Sequence, residues 1–212
     1  MSDRIAICNL CVEAGAKTAL MEVDDVAMDY LKERGREPKH LFASDPDAVY
    51  AEEYEVDLSV ITPIVAKPHF VDNVVNAREC EGIKIDEAFL GSCNNGRLED
   101  LRVGAELLKG RKVHPGVRFL IVPASQEVYQ KALEEGLIQI FMDAGAIVMN
   151  ANCSVCWGSC QGVIGEGETL ISTGTRNFKG RAGHPDSFVY LASAATVTAS
   201  AFKGEITTAD KL

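Results

Sequence analysis

Residues 151–160 read ANCSVCWGSC, which sets Cys153, Cys156 and Cys160 within eight residues and places the chain's one tryptophan, Trp157, between the last two. Thiols so spaced can pair as disulfides, chelate a metal, attack as nucleophiles or simply pack as small hydrophobes. Two further stretches carry groups of the same reach. GSCNNGR places Cys93 60 positions upstream of Cys153, and TGTRNFKGR holds Arg176 and Arg181. A closed zinc site asks for a fourth protein ligand, and His40, His69, His114 and His184 stand isolated outside these stretches. A thioredoxin-like CxxC opens a helix, whereas CSVCWGSCQGVIG is rich in glycine and reads as a loop. One distant thiol plus a CxxC suits a [4Fe–4S] cluster with three protein ligands, whose remaining iron can act as a Lewis acid. Burial of the cysteines as inert hydrophobes is the competing reading. The arginine forks can hold carboxylates bidentately, and a solvated pair on a turn is the alternative for them.

These groups need a frame, and the second half of the sequence supplies one. IDEAFLGSC (85–93) reads as a strand ending in a glycine turn, and RLEDLRVGAELLKG (97–110) spaces Leu98, Leu101, Ala105 and Leu108 as one helical face. VRFLIVP (117–123) is a second buried-type strand. Ser125 then caps a helix closed by Gly136, and LIQIFMDAG continues as a short one. AIVMN and TLIST (169–173) complete four strands. Strands and helices in this rhythm predict an α/β fold, a parallel or mixed sheet flanked by helices on both faces. Ligands of such sheets gather beyond the carboxyl ends of the strands, and Cys93, the CxxC and the two arginines all follow strands. The first half is less regular. Residues 5–20 suggest a helix broken by Gly15, 24–34 a second helix, 49–60 a strand with polar alternation, and 59–80 a linker. A boundary near residue 80 separates this first part (1–80) from the α/β part (81–212).

The chain's 212 residues, 47% hydrophobic, can bury a sizeable core, and a net charge of -10 argues against nucleic acid or an anionic membrane as the main partner. No apolar run approaches the ~20 residues of a membrane helix, and MSDRIAICNL lacks the basic and apolar segments of a signal peptide. The expected compartment is the cytoplasm, where the seven cysteines would stay reduced.

GSCNNGRLEDLR, NCSVCWG and TRNFKGR, in this order and spacing, resemble the aconitase superfamily, and within it the large subunits of 3-isopropylmalate dehydratase and homoaconitase. RIAICNLCVEAGAKTALMEVDD and GRAGHPDSFVYLASAATVTASAFKGEI extend the resemblance across essentially the whole chain. It implies a [4Fe–4S] hydro-lyase that isomerises a hydroxy di- or tricarboxylate, such as 3-isopropylmalate or homocitrate, within amino-acid biosynthesis. By position Cys93, Cys153 and Cys156 would ligate the cluster, and Arg176 and Arg181 would bind substrate carboxylates. Asn9 and Glu13 would stand beside the cluster and its bound water as catalytic residues. Cys160, Cys8, Cys11 and Cys80 have no ligand counterpart. The chain departs from the pattern at Asn94, where GSCTNG is usual, and at Thr175, where NRNF is usual. The resemblance also implies partners: a small subunit carrying the swivelling domain with its serine base, and a polypeptide or segment supplying the family's first domain. Alone the chain would then be inactive. A non-catalytic subunit or binding module that keeps the fold is the rival reading.

Overall fold

The computed structural model describes residues 1–212, which divide into two compact units, Met1–Ile61 and Thr62–Leu212. In the first unit, α1 (Ser2–Leu10) ends well short of the expected residue 20 and gives way to a turn closing at Gly15. Helix α2 (Asp25–Lys32) starts where its sequence predicts, because Asp24 accepts the Ala27 backbone N–H at 3.1 Å as an N-cap. Arg4 forks onto both Asp24 oxygens at 2.7 and 2.6 Å, tying α1 to the start of α2. Residues 49–60, expected as a strand, form none; only a short 3₁₀ turn occurs, at Leu58–Val60. Polar alternation specifies a strand only when a neighbouring edge takes up its backbone hydrogen bonds, and this segment has no such neighbour. No residue of this unit is fully buried.

The second unit is built on seven strands. In chain order the elements are β1 (Ile64–Ala66), β2 (Val74–Asn76), β3 (Glu87–Gly91), α3 (Ser92–Asn95), α4 (Leu98–Leu108), β4 (Arg118–Val122), α5 (Gln126–Glu134), α6 (Leu137–Ala144), β5 (Ile147–Val148), β6 (Thr169–Ser172), β7 (Phe188–Ala192) and α7 (Ala194–Lys203). They assemble in the order β2-β1-β7-β6-β3-β4-β5. Strands β3 to β7 are mutually parallel, while β1 runs antiparallel to both β7 and β2. The sheet is therefore mixed. Residues 62–80 do not form the expected linker: they supply the β1–β2 hairpin and a 3₁₀ turn (Ala77–Cys80) whose capping box is made by Asn76 and Glu79. The compact unit accordingly opens at Thr62, upstream of the boundary expected near residue 80. No helix is long and apolar enough to cross a membrane.

Alternation along the central strands sorts side chains onto two faces. Ala88, Leu90, Phe119, Ile121 and Ile171 pack with Leu101, Ala105, Phe141 and Val197 of the helices. Phe89, Leu120, Val122, Leu170 and Val189 pack instead with Met149, Val155, Ile164 and Ala182, which belong to irregular segments. Helices thus cover one face only, and long loops cover the other. Crossover handedness explains the division. The chain leaves β3 towards β4 and β5, then jumps back past β3 to β6 and β7. A right-handed crossover in the reversed direction has to pass over the opposite face. The β5–β6 segment, too short of helical pattern to make a helix, fills that face as a loop.

One acid in this core is anomalous. Glu87, at the start of β3, is wholly buried, and burial raises its carboxyl to about 7 even though Arg118 donates to it through Nε at 2.9 Å. Arg118 also forks onto Glu168 at 2.9 and 2.8 Å, which spends its charge on two carboxylates. A carboxyl raised on folding contributes stability that is complete below its unfolded value and is lost as pH rises through about 7. The isosteric change Glu87→Gln should therefore raise stability at pH 8, by about 3 kcal/mol at most. The gain should shrink toward zero as pH approaches ~4.5, a trend read from paired urea titrations.

Candidate functional site

The point where strand order reverses lies between β6 and β3, the place where sheets of this type form a ligand crevice beyond the carboxyl ends of the strands. Cys93 leaves from β3, and Thr175 and Arg176 leave from β6. The segment carrying Cys153 and Cys156 comes from β5 and packs back onto the same edge. One contact that sets its place is the bond from Arg181 Nε to the Cys156 carbonyl at 2.7 Å, and Gly174 passes close by, since a Cβ added there would lie 3.7 Å from Cys156 Sγ. The Thr175 backbone N–H also donates to Cys156.

Each thiol loop is held in a conformation that ordinary residues avoid. Ser92 and Ser154 have φ of 82° and 45°, in the left-handed region, and each adjoins a cysteine. The Ser92 hydroxyl accepts from the backbone N–H groups of Asn94 and Asn95, both at 3.3 Å, and that of Ser154 donates to the Gln161 carbonyl at 2.7 Å. The glycines of GSCNNG are demanded by close packing. A Cβ at Gly91 would meet the Val122 carbonyl at 2.8 Å, and one at Gly96 would meet it at 2.5 Å.

Further bonds, none of them anticipated from the sequence, lock the β3 and β6 loops together. Thr173 Oγ1 accepts from Gly91 N at 2.9 Å and donates to Gly91 O at 3.0 Å, and Asn95 Nδ2 donates to Thr173 O at 2.6 Å. Asn177, fully buried, donates through Nδ2 to the Lys67 and Phe70 carbonyls at 2.8 and 3.2 Å, pinning the arginine loop to the β1–β2 hairpin. The only trace of these roles in the sequence is a run of small polar residues directly after an apolar strand, where a solvated turn needs no such density.

The thiols differ in exposure. Cys93, Cys153 and Cys160 are exposed, Cys156 is half-buried, and Cys80 is buried. Burial raises the Cys156 thiol, the Thr175 N–H and Arg181 pull it back down, and Cys93 and Cys153 push it up as neighbouring charges. The three sulfurs named from spacing thus share one electrostatic neighbourhood. No three His, Cys, Asp or Glu groups stand close enough to hold a single metal ion. A four-iron cube makes a different demand: each thiolate binds its own iron at a separate corner, so the sulfurs stand farther apart. Two exposed thiols and a half-buried one have the chemistry and the accessibility that such a cluster uses.

Arg176 donates from Nη1 to the Thr175 hydroxyl at 2.6 Å, so the threonine orients the arginine. Arg181 uses Nε on the Cys156 loop and stacks over Phe178 with its guanidinium carbon 5.2 Å from the ring centre, so it braces the loop as well as carrying charge. Asn94 is buried beside Cys93, its Oδ1 3.8 Å from the thiol. Asn9 and Glu13 lie in the first unit, Asn9 half-buried on α1 and Glu13 exposed in the turn after it.

The chain is similar along its length to known proteins. The model of the aconitase family (aconitate hydratase) matches residues 1–81 and 75–204. The "Probable 3-isopropylmalate dehydratase large subunit" of Methanothermobacter thermautotrophicus is 51% identical over 207 residues, 98% of this chain and 49% of the relative. The 3-isopropylmalate dehydratase large subunit of Desulfitobacterium hafniense is 48% identical over 206 residues, 97% of this chain and 49% of the relative. That of Aquifex aeolicus is 48% identical over 217 residues, covering 100% of this chain and 50% of the relative. The chain spans about half the length of the curated relatives it matches.

Proposed function

We propose, from the premise that this chain belongs to the aconitase family, that it is the cluster-binding component of a hydro-lyase acting on a hydroxy di- or tricarboxylate of the 3-isopropylmalate type. The observation that carries the reading is the convergence of Cys93, Cys153 and Cys156 on one charge neighbourhood at the reversal of strand order. These residues would hold a [4Fe–4S] cluster, which when bound supplies an open iron as a Lewis acid toward the leaving hydroxyl.

The chain's own contribution is positioning and charge. Arg176, set by Thr175, and Arg181, set by the Cys156 carbonyl, would take the substrate carboxylates and concentrate positive charge at one edge of an otherwise acidic chain. Holding both carboxylates fixes which carbon loses hydroxyl and which loses the proton, the part of catalysis that orientation supplies. Asn9 and Glu13 complete the proposal as polar groups beside the bound water. A small subunit with a swivelling domain, and a polypeptide or segment equivalent to the other half of the relatives, would supply the remaining walls and the base. The lack of any fully buried residue in Met1–Ile61 supports a need for further chain.

Co-expression with such partners, followed by an assay of hydration of unsaturated diacids in the ultraviolet, tests the assignment. Turnover that falls at least a hundredfold in Arg176→Lys, through kcat/KM, is the expected result. A complex that binds cluster yet hydrates no such acid would make the chain a non-catalytic module of the same fold.

A further inference from the structure

At the amino ends of β3 and β4, on the loop-covered face, lies a cavity of about 610 Å³, walled in part by Gln161, Gly162 and Val163, where the segment carrying the CxxC runs on toward β6. Glu87, which lines it, and Gly91, at the other end of β3, are four residue steps or roughly 13 Å of strand apart. Glu87 is wholly buried, its Oε2 accepts from Arg118, and its Oε1 has no partner. That oxygen is itself buried, and a Cβ at Gly162 would stand 3.2 Å from it, so any side chain there would crowd Oε1 further. The other walls combine Leu120, Met149 and Val163 with the amide side chains of Asn150 and Gln161.

Charge decides what such a cavity would take. Arg118 is shared between Glu87 and Glu168, so once Glu87 is ionised, above about pH 7, two carboxylates face one guanidinium and the group is short of one positive charge. The missing partner must donate a hydrogen bond to Oε1 and bring charge, while the apolar walls ask for a hydrocarbon stem. We propose that this cavity is a binding site for a primary ammonium on a short aliphatic stem, seated with its nitrogen on Glu87 Oε1. A bare metal ion is a poor match, since no third acid, histidine or thiol converges there.

The proposal is independent of the cluster and is tested on the full chain without it. Calorimetric titration at pH 8 with n-butylammonium should give saturable one-site binding, with n-butanol of the same stem at least about tenfold weaker. Glu87→Gln should weaken the ammonium by about tenfold or more while far-UV circular dichroism is retained and unfolding stays cooperative, with its midpoint no lower than that of the unaltered chain. Val163→Trp, which leaves the acid in place and fills the cavity from its exposed side, should abolish binding. Titration with Nα-acetyl-lysinamide separates two sources of the same chemistry: binding of both ligands assigns a lysine side chain as a competent occupant, and binding of butylammonium alone assigns a free amine. No saturable heat with wild-type protein, equal affinity for butanol, or unchanged affinity in Glu87→Gln overturns it.

Discussion

Serine in place of Cys153 is expected to leave a folded protein that takes up almost no iron and sulfide in anaerobic reconstitution, whereas the unaltered chain gains both together with a broad visible absorbance. The same is expected of Cys93→Ser and Cys156→Ser. The argument rests on exposure as much as on spacing. Cys93 and Cys153 are exposed, so oxygen for sulfur removes no buried contact, and the unfolding midpoint should move by less than about 0.5 kcal/mol in equivalent stability. Two controls separate ligation from packing. Cys160, also exposed and in the same segment, should be replaceable by serine with full cluster uptake. Cys80, 1% exposed beneath the β1–β2 hairpin, should cost about 1–3 kcal/mol as serine and still reconstitute. Iron uptake that persists undiminished in the Cys93, Cys153 and Cys156 variants would reject these three as ligands.

The second large effect is expected one residue beyond Trp157. Gly158 has φ of +78°, and a Cβ added there would stand 2.1 Å from the Arg181 carbonyl oxygen. The obstacle is backbone, and it belongs to the residue whose side chain holds the Cys156 carbonyl, so neither partner can move without the other. Gly158→Ala should cost about 1–2 kcal/mol in conformation and about 1–3 kcal/mol more from overpacking. The loss would fall mainly on the loop. Hydrogen exchange should rise across 153–163 and 174–182, with β3, β4 and β6 still protected, and reconstitution should drop with it. Reconstitution at the unaltered level would mean that the CxxC loop does not depend on this contact.

The glycine illustrates how the sequence and the fold divide the information. Its presence in CWGSC is plain, but its necessity depends on Arg181, 23 positions away in the sequence. Strands β3, β4 and β6 and helices α4 to α6 were legible because each has a local signature: an apolar run ending in glycine or proline, a helical apolar face, a serine cap. The β1–β2 hairpin resembles linker in sequence because strands of three residues, the first of them between Pro63 and Pro68, are too short to show a period. The polar alternation of 49–60 misled in the opposite sense, since a pattern without a pairing edge makes no strand.

The chemistry-bearing residues followed the same rule. Sequence alone determined which groups are available and in what order: one thiol, a CxxC and two arginines, each on the segment following a predicted strand, in a pattern resembling one enzyme family. It also determined the α/β class, since strand and helix periods are properties of adjacent residues. Tertiary structure alone decided that β6 inserts beside β3, so that Cys93 and Arg176 emerge at one crevice, and that the β5–β6 loop returns over the opposite face with Cys153 and Cys156. It decided as well that Thr173, Asn95 and Asn177 act as fasteners and that Glu87 lies buried with one oxygen unpaired. Strand order follows from crossover handedness and from burial summed over distant residues, and neither quantity is carried by any short stretch of chain.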